Sequence, residues 1–177
     1  MKLSDLLKRI DKIFNNCRFR YALIGGYAVA AWGEERATRD IDLFCISDSN
    51  RILDELRKEN LQFEHRTGDW GDPVAEVIRI DVGDATDPYE VDILFGIKDA
   101  PPGILSRVRI LDIEGIAIPV ASPEDMILLK LLGGSPLDLE DAKSIIQIQS
   151  HRLDLKLAKS LCPEKIMGSL EKLLEDV

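Results

Sequence analysis

Length, composition and charge already narrow the classes of protein to which this chain can belong. It has 177 residues and a formal net charge of −9, with 45% hydrophobic and 31% charged residues. This length suits one domain with a substantial core and excludes two ordinary enzyme domains. No stretch approaches the roughly 18 apolar residues of a membrane-spanning helix, and the acidic charge disfavours a protein that coats nucleic acid. We therefore expect a cytoplasmic protein without a membrane partner.

The cysteines and histidines form no motif. Cys17, Cys45 and Cys162 are odd in number and lack C-x-x-C spacing, and the histidines are His65 and His151. We therefore expect neither a disulfide framework nor a zinc site built from these residues.

Hydrophobic periodicity predicts a mixture of helices and strands as far as residue 121, and helices alone after it. In chain order the predicted elements are a helix over 4–15, a strand over 21–26, a helix over 26–32, a strand over 40–46, a helix over 50–59, strands over 61–65, 75–82 and 88–95, two short strands within 107–121, and helices over 123–132, 138–149, 153–160 and 164–175. This pattern predicts an α/β fold with a mixed sheet, in which an α/β core over 1–121 carries a helical C-terminal subdomain over 122–177.

The segment over 23–44 combines two features of phosphate chemistry. Gly25 and Gly26 end a predicted strand and begin a helix, where glycine lets a phosphate approach the free N–H groups. Asp40 and Asp42 alternate with apolar residues on the next strand, so both carboxylates share one face and can hold hard divalent cations. A phosphate cradle beside a carboxylate pair is what metal-assisted phosphoryl transfer requires.

Each feature also has an ordinary structural explanation. A Gly-Gly pair after a strand is commonly a turn, and two aspartates on one strand face are commonly solvated. Their combination over a short stretch of chain favours the functional interpretation.

The pattern of Gly25-Gly26 followed by Asp40-Ile41-Asp42-Leu43 resembles the signature of the polymerase-beta-like nucleotidyltransferase superfamily. The segment GGYAVAAWGEERATRDIDLF is similar to the small members related to abortive-infection toxins. The resemblance implies a nucleotidyltransferase-fold core, a nucleoside triphosphate donor bound through Gly25 and Gly26, and metal binding by Asp40, Asp42 and a third carboxylate at Asp92. It implies Mg²⁺, as two ions and with Mn²⁺ as a substitute.

A second stretch, 128–145, resembles the family's helical region, in which a lysine is followed eight and eleven residues later by aspartates, here Lys130, Asp138 and Asp141. The resemblance implies that all three bind the nucleotide and that Lys130 acts in catalysis. From the residues alone, Lys130 is equally a snorkelling surface lysine and Asp138 a helix cap. Relatives commonly carry basic residues where this chain has Ser135 and Leu137.

Other polar residues are weaker candidates for the same site. Arg36, which matches a family position, and Thr38 lie where they can meet a triphosphate or bond the turn. Arg39 is equally explained by an ion pair with a nearby glutamate. Arg79 either faces the site or is an edge-strand arginine. Asp81, two residues later on the same strand face, is a second candidate for the third carboxylate, but Asp92 is preferred because its apolar surroundings are denser.

The sequence therefore predicts an enzyme that moves a nucleoside monophosphate from a nucleoside triphosphate to a hydroxyl or phosphate of RNA, protein or a small molecule. A role in a toxin–antitoxin or defence system, with a cognate protein partner, is part of this expectation. The alternative is a catalytically silent nucleotide-binding or antitoxin-like protein of the same fold. A dinucleotide-binding protein and a P-loop protein are excluded because both glycine motifs are missing.

Overall fold

The computed structural model describes residues 3–34, 38–84 and 87–175. Its strands are β1 (Tyr21–Ile24), β2 (Asp40–Cys45), β3 (Glu64–Thr67), β4 (Val74–Asp84), β5 (Asp87–Ile97), β6 (Arg109–Ile113) and β7 (Ile116–Val120). Its α-helices are α1 (Leu3–Cys17), α2 (Gly25–Trp32), α3 (Ser49–Lys58), α4 (Pro123–Gly133), α5 (Pro136–Gln149), α6 (Leu155–Leu161) and α7 (Glu164–Glu175), and a 3₁₀ turn spans Ile104–Ser106.

The strands form one mixed sheet in the order β3-β4-β5-β2-β1-β7-β6. β2 is antiparallel to β1 and parallel to β5, while β1 is parallel to β7. The remaining neighbours, β3 with β4, β4 with β5 and β6 with β7, pair antiparallel. The predicted α/β fold with a mixed sheet is confirmed. The parallel pairing of β2 and β5 places two strands next to each other although more than forty residues separate them in sequence.

Burial of aliphatic side chains holds the helices on the sheet. Five apolar residues of α1 that recur at helical spacing are buried, namely Leu6, Leu7, Ile10, Ile13 and Phe14. Each such side chain stabilises the fold by roughly 1.5–3 kcal/mol when it is fully buried. These residues belong to the same buried cluster as the sheet strands and α4.

The beginning of α4 is fixed by a buried ion pair. Ser122 accepts a hydrogen bond from the Asp125 backbone N–H, and the fully buried Asp125 carboxylate accepts two from the Arg107 guanidinium, at 3.0 and 2.6 Å. Because α4 joins the common core, the boundary predicted at residue 121 does not coincide with a break in packing, and the division into two subdomains stays a prediction.

Most element boundaries differ from the sequence prediction by one to three residues, and two of these differences have a visible cause. β3 begins at Glu64 rather than residue 61, since the chain leaves α3 through a turn in which the Leu61 N–H donates to Leu56 C=O at 3.0 Å. α5 begins at Pro136 rather than residue 138, because Ser135 caps it. Within the described residues, no helix is both long and apolar enough to cross a membrane.

Candidate active site

One face of the sheet carries a row of acidic side chains where β2 and β5 run side by side. In the parallel register Asp42 lies opposite Asp92, and Asp40 lies opposite Glu90. Side chains two residues apart on a strand point to the same face, so all four carboxylates share it. The structure therefore brings together the three aspartates predicted from the sequence and adds Glu90, which the sequence analysis missed.

Burial and like charge both act on Asp42 in this row. Burial raises the pKa of Asp42 to about 6, and repulsion from Asp92 and Asp40 adds to the effect. Lys130 and Arg79 lower the same pKa but do not compensate. A carboxyl group in this environment gains most from a cation that arrives next to it.

Asp92 is held by a two-pronged hydrogen bond from the neighbouring strand. Arg79 lies opposite Asp92 in the antiparallel register of β4 and β5. The Arg79 Nε donates to Asp92 Oδ1 at 2.8 Å, and the Arg79 Nη2 donates to Asp92 Oδ2 at 2.7 Å. Bidentate pairs of this kind are the strongest and most directional hydrogen bonds that a carboxylate makes. Of the two explanations left open for Arg79, its position facing the acidic row is the one observed.

Gly25 lies directly against Asp42. Its φ of +66° is one that side-chain-bearing residues rarely adopt, and a Cβ at this position would lie 1.8 Å from Asp42 Oδ2. Glycine is therefore required here by the approach of the carboxylate, in addition to the phosphate access predicted from sequence. α2 begins at Gly25 without a side-chain cap from Ile24, so the N-terminal amides of this helix are adjacent to Asp42.

Lys130 reaches the site from α4 and connects it to α5. Its ammonium lies 2.9 Å from both Asp138 and Asp141, and only 12% of its side chain is exposed. Burial alone would raise the pKa of Asp138, but hydrogen bonds from Ser135 and Lys130 outweigh it and hold that pKa below its ordinary value. Lys130 is thus no snorkelling surface residue. Asp138 is not the cap itself, because Ser135 is, but it bonds back to the Ser135 backbone in a capping box.

A cleft of about 480 Å³ joins these parts. Gly25, Asp42, Lys130 and Asp138 all line it, together with side chains of β5, α4 and the loop before β4. This volume is within the usual range for small-molecule sites. The cleft therefore places a helix N-terminus, a carboxylate and an ammonium group around one space.

The remaining sequence candidates lie at the edge of this arrangement or elsewhere. Thr38 is half-buried and Arg39 exposed, both just ahead of β2, while Gly26 is buried in the first turn of α2. Arg36 lies outside the described residues. Asp81, on β4, is exposed and lies opposite Glu90; β5 separates its strand from β2, whereas Asp92 pairs directly with Asp42.

Comparison with known proteins decides the family. The model of the family described as Nucleotidyltransferase of unknown function (DUF6036) matches residues 1–173. The chain belongs to this nucleotidyltransferase family. No curated protein matches it in sequence.

Several solved structures share the fold of this nucleotidyltransferase. ANT(2″)-Ia in complex with adenylyl-2″-tobramycin superposes with a TM-score of 0.62 at 15% identity, over 89% of this chain and 95% of its own. An antigenic nucleotidyltransferase-like protein from Paracoccidioides brasiliensis superposes with a TM-score of 0.55 at 19% identity, over 94% of this chain and 88% of its own. JHP933 from Helicobacter pylori superposes with a TM-score of 0.54 at 21% identity, over 98% of this chain and 76% of its own. At these identities the similarity shows a common fold.

The acidic row of the nucleotidyltransferase suits a divalent cation in its chemistry. Its donors are carboxylate oxygens, the ligands that Mg²⁺ and Mn²⁺ prefer. A dication would offset the burial and the carboxylate repulsion that raise the pKa of Asp42. In the part of the chain that the structure describes, no three His, Cys, Asp or Glu side chains are grouped so that they could hold a metal ion. Asp92 instead bonds Arg79 through both oxygens. The metal set of Asp40, Asp42 and Asp92 therefore stays a prediction.

Some cleft residues of the nucleotidyltransferase could not be found from sequence. Lys98, in the turn after β5, and Lys165, in α7, line the cleft, and nothing in the local pattern of either segment distinguishes them from surface lysines. Glu90 could have been found, because it precedes Asp92 by two residues and period two puts both on one face.

Proposed function

We propose that this nucleotidyltransferase transfers a nucleoside monophosphate from a nucleoside triphosphate to a hydroxyl or phosphate group of an acceptor. The observation that carries the proposal is the position of Asp42, which lies against Gly25 at the start of α2 and lines one cleft with Lys130. A helix N-terminus and an ammonium group both attract phosphate. The Asp42 carboxylate, which lies between them, is then next to the position that the reacting phosphorus would occupy.

The chemical step follows from these roles. The acceptor oxygen bonds to the α-phosphorus, the bond from that phosphorus to the bridging oxygen breaks, and pyrophosphate leaves with the electron pair. Gly25, Gly26 and Lys130 bind the phosphates and stabilise their negative charge, and Arg36 and Thr38 complete the triphosphate contacts. Asp138 and Asp141 hold the Lys130 ammonium beside the cleft, at 2.9 Å each.

Asp92 is the residue that we propose to receive the acceptor proton. Each carboxylate oxygen can accept more than one hydrogen bond, so Asp92 can hold an acceptor hydroxyl while Arg79 fixes its orientation at 2.8 and 2.7 Å. Arg79 acts through Asp92 and is a positioning residue.

Mg²⁺ is the cofactor that we propose, as two ions and with Mn²⁺ as a substitute. Asp40, Asp42 and Asp92 would hold it. When bound, the metal supplies positive charge that offsets the charge of the triphosphate and makes the α-phosphorus more electrophilic.

A small molecule is the acceptor class that the cleft favours over RNA or protein. Its volume of about 480 Å³ is that of a small-molecule site, and ANT(2″)-Ia was solved with adenylyl-2″-tobramycin. A role in a toxin–antitoxin or defence system with a cognate protein partner also belongs to the proposal. It predicts that expression of the wild-type chain arrests growth of the host cell and that expression of Asp42→Asn does not.

The decisive experiment follows the label of an α-³²P nucleoside triphosphate. The wild-type protein, incubated with each of the four nucleotides, Mg²⁺ and cell extract, should move label into an acceptor and release pyrophosphate. Asp42→Asn should abolish this transfer with the fold intact. Asp81→Asn is the matched control, since it removes an exposed carboxylate from the same sheet face and should leave transfer unchanged. Undiminished transfer by Asp42→Asn, or nucleotide binding without turnover on any acceptor, would contradict the proposal.

A further inference from the structure

Arg79 holds both oxygens of Asp92, a carboxylate that also belongs to the proposed metal set. Its Nε donates to Oδ1 at 2.8 Å and its Nη2 donates to Oδ2 at 2.7 Å. In keeping with this, the described part of the chain contains no three His, Cys, Asp or Glu side chains grouped so that they could hold a metal ion. A guanidinium and a dication repel each other and compete for the same carboxylate oxygens. Binding of a metal ion to Asp92 is therefore opposed by Arg79.

A second carboxylate faces the remaining nitrogen of the same guanidinium. Arg79 Nη1 lies 3.7 Å from Glu90 Oε2, which is too far for a hydrogen bond. Glu90 precedes Asp92 by two residues on β5, so both side chains share one face of the sheet. The Glu90 side chain is 47% exposed, whereas that of Asp92 is 16% exposed. Arg79 thus has one close partner, and a second that a change of side-chain rotamer would bring into contact.

Arg79 stays charged whichever partner it contacts. The hydrogen bonds and the charge of Asp92, followed by the charges of Glu90 and Asp81, raise the pKa of Arg79. Its side chain is 39% exposed, so it can reorient without disturbing the core. A move toward Glu90 replaces part of the charge interaction that is lost at Asp92. Glu90 therefore lowers the free energy that the release of Asp92 costs.

We infer that Glu90 is a positioning residue, which receives Arg79 when a divalent cation binds to the acidic row and thereby frees Asp92 to become a ligand. The inference rests on the proposed function, because it concerns the metal site proposed at Asp40, Asp42 and Asp92. The hydrogen bond from Arg79 Nε can persist and keep Asp92 oriented while Nη2 leaves Oδ2. Without Glu90, a smaller fraction of molecules has Asp92 released, and the apparent metal affinity falls with that fraction.

The test measures Mn²⁺ binding to the full chain without nucleotide, through the electron paramagnetic resonance signal of free Mn²⁺. Arg79→Gln removes the competitor and should bind Mn²⁺ at least about fivefold more tightly than the wild type. Arg79→Lys keeps the charge but cannot form the two-pronged bond, so its affinity should lie between these two. Glu90→Gln should weaken binding at least about threefold, because Arg79 loses its second partner. Asp81→Asn, which removes an exposed carboxylate from the face that carries Arg79, should stay within about twofold of the wild type.

The double variant of Arg79→Gln and Glu90→Gln identifies how Glu90 acts. If Glu90 acts through Arg79, its substitution should change the Mn²⁺ affinity by less than about twofold in the Arg79→Gln background. An equal loss in both backgrounds would mean that Glu90 binds the metal itself or acts by its charge alone, and it would overturn the inference. So would an Arg79→Gln variant that is folded by near-ultraviolet circular dichroism and binds Mn²⁺ no more tightly than the wild type. Arg79→Lys with wild-type affinity would reduce the role of Arg79 to its charge and overturn the inference as well.

Failure of this inference and failure of the proposed function are separate results. Mn²⁺ binding is measured without nucleotide or acceptor, whereas label transfer requires both. Label transfer by a protein whose variants all bind Mn²⁺ equally would overturn only the role of Glu90. The expected order of Mn²⁺ affinities without label transfer would support that role and overturn the proposed reaction.

Discussion

Asp42→Asn should make the metal-free protein more stable at neutral pH. The substitution keeps the shape of the side chain and removes a charge that burial and the neighbouring Asp92 and Asp40 disfavour, as the pKa of about 6 indicates. An unfolded aspartate ionises near pH 3.9. Between these two values the folded chain binds more protons than the unfolded one, so the free energy of unfolding of the wild type falls as pH rises from about 4 to about 6.

The magnitude follows from the size of this shift. The pKa of Asp42 rises from 3.8 to about 6, and about 2 pKa units at about 1.4 kcal/mol each give about 3 kcal/mol. The asparagine variant should recover roughly 1–3 kcal/mol of this at pH 7, because its amide still has to be hydrogen-bonded in a partly buried position. In a domain of this size that corresponds to a rise in Tm of roughly 2–12 °C.

The assay is urea denaturation in EDTA at a series of pH values from 4 to 8, followed by far-ultraviolet circular dichroism. The difference between variant and wild type should be largest at pH 7 and nearly vanish at pH 4. Asp81→Asn, which removes an exposed carboxylate, should stay within about 0.5 kcal/mol of the wild type throughout. A variant that is no more stable than the wild type at pH 7, or a difference independent of pH, would refute the reasoning.

Two further substitutions test the packing around the site. Gly25→Ala should destabilise the protein by about 2 kcal/mol or more and abolish label transfer, since the φ of +66° and the 1.8 Å approach of a Cβ to Asp42 Oδ2 both exclude a side chain. The control is Gly168→Ala, within α7, where a Cβ would meet nothing within 4 Å. This control should be neutral or stabilise the protein by up to about 1 kcal/mol. Equal denaturation midpoints for the two variants would contradict this. Arg107→Met should destabilise the protein by about 3–5 kcal/mol, because Asp125 is fully buried and would lose its charge partner. Thermal unfolding measures this loss, and a change below about 1 kcal/mol would show that the ion pair is dispensable.

Local patterns were enough to predict most elements of the fold. The periodicity of α1 and the Ser122-Pro123 start of α4 are encoded within a few residues, and both appear as expected. The pairing of Asp40 with Asp42 on one strand face is equally local, because period two is a property of every strand. Boundaries were wrong where turns decided them, as at Glu64, where the chain first completes the turn that ends α3.

The sequence predicted most residues of the candidate site but only part of its geometry. Sequence alone preferred Asp92 to Asp81 for its denser apolar surroundings, and the register of β2 with β5 places Asp92 opposite Asp42. The sequence did not distinguish between the two explanations for Arg79. The register of β4 with β5 places this residue opposite Asp92, to which it donates a hydrogen bond. The pairing of β2 with β5 joins segments that are distant in the chain, so no local pattern can specify it. β4 and β5 are consecutive strands, but which residues face each other depends on their antiparallel register, which the hydrophobic pattern alone does not give.

The sequence by itself determined which side chains this protein has available for phosphate chemistry and which faces of its helices and strands they occupy. The tertiary structure decided which of them meet, namely Gly25 against Asp42 and Lys130 beside Asp138 and Asp141. The physical reason is that helix and strand periodicity arises from hydrogen bonds and burial within a few residues, whereas contacts between distant segments depend on how all the elements pack together.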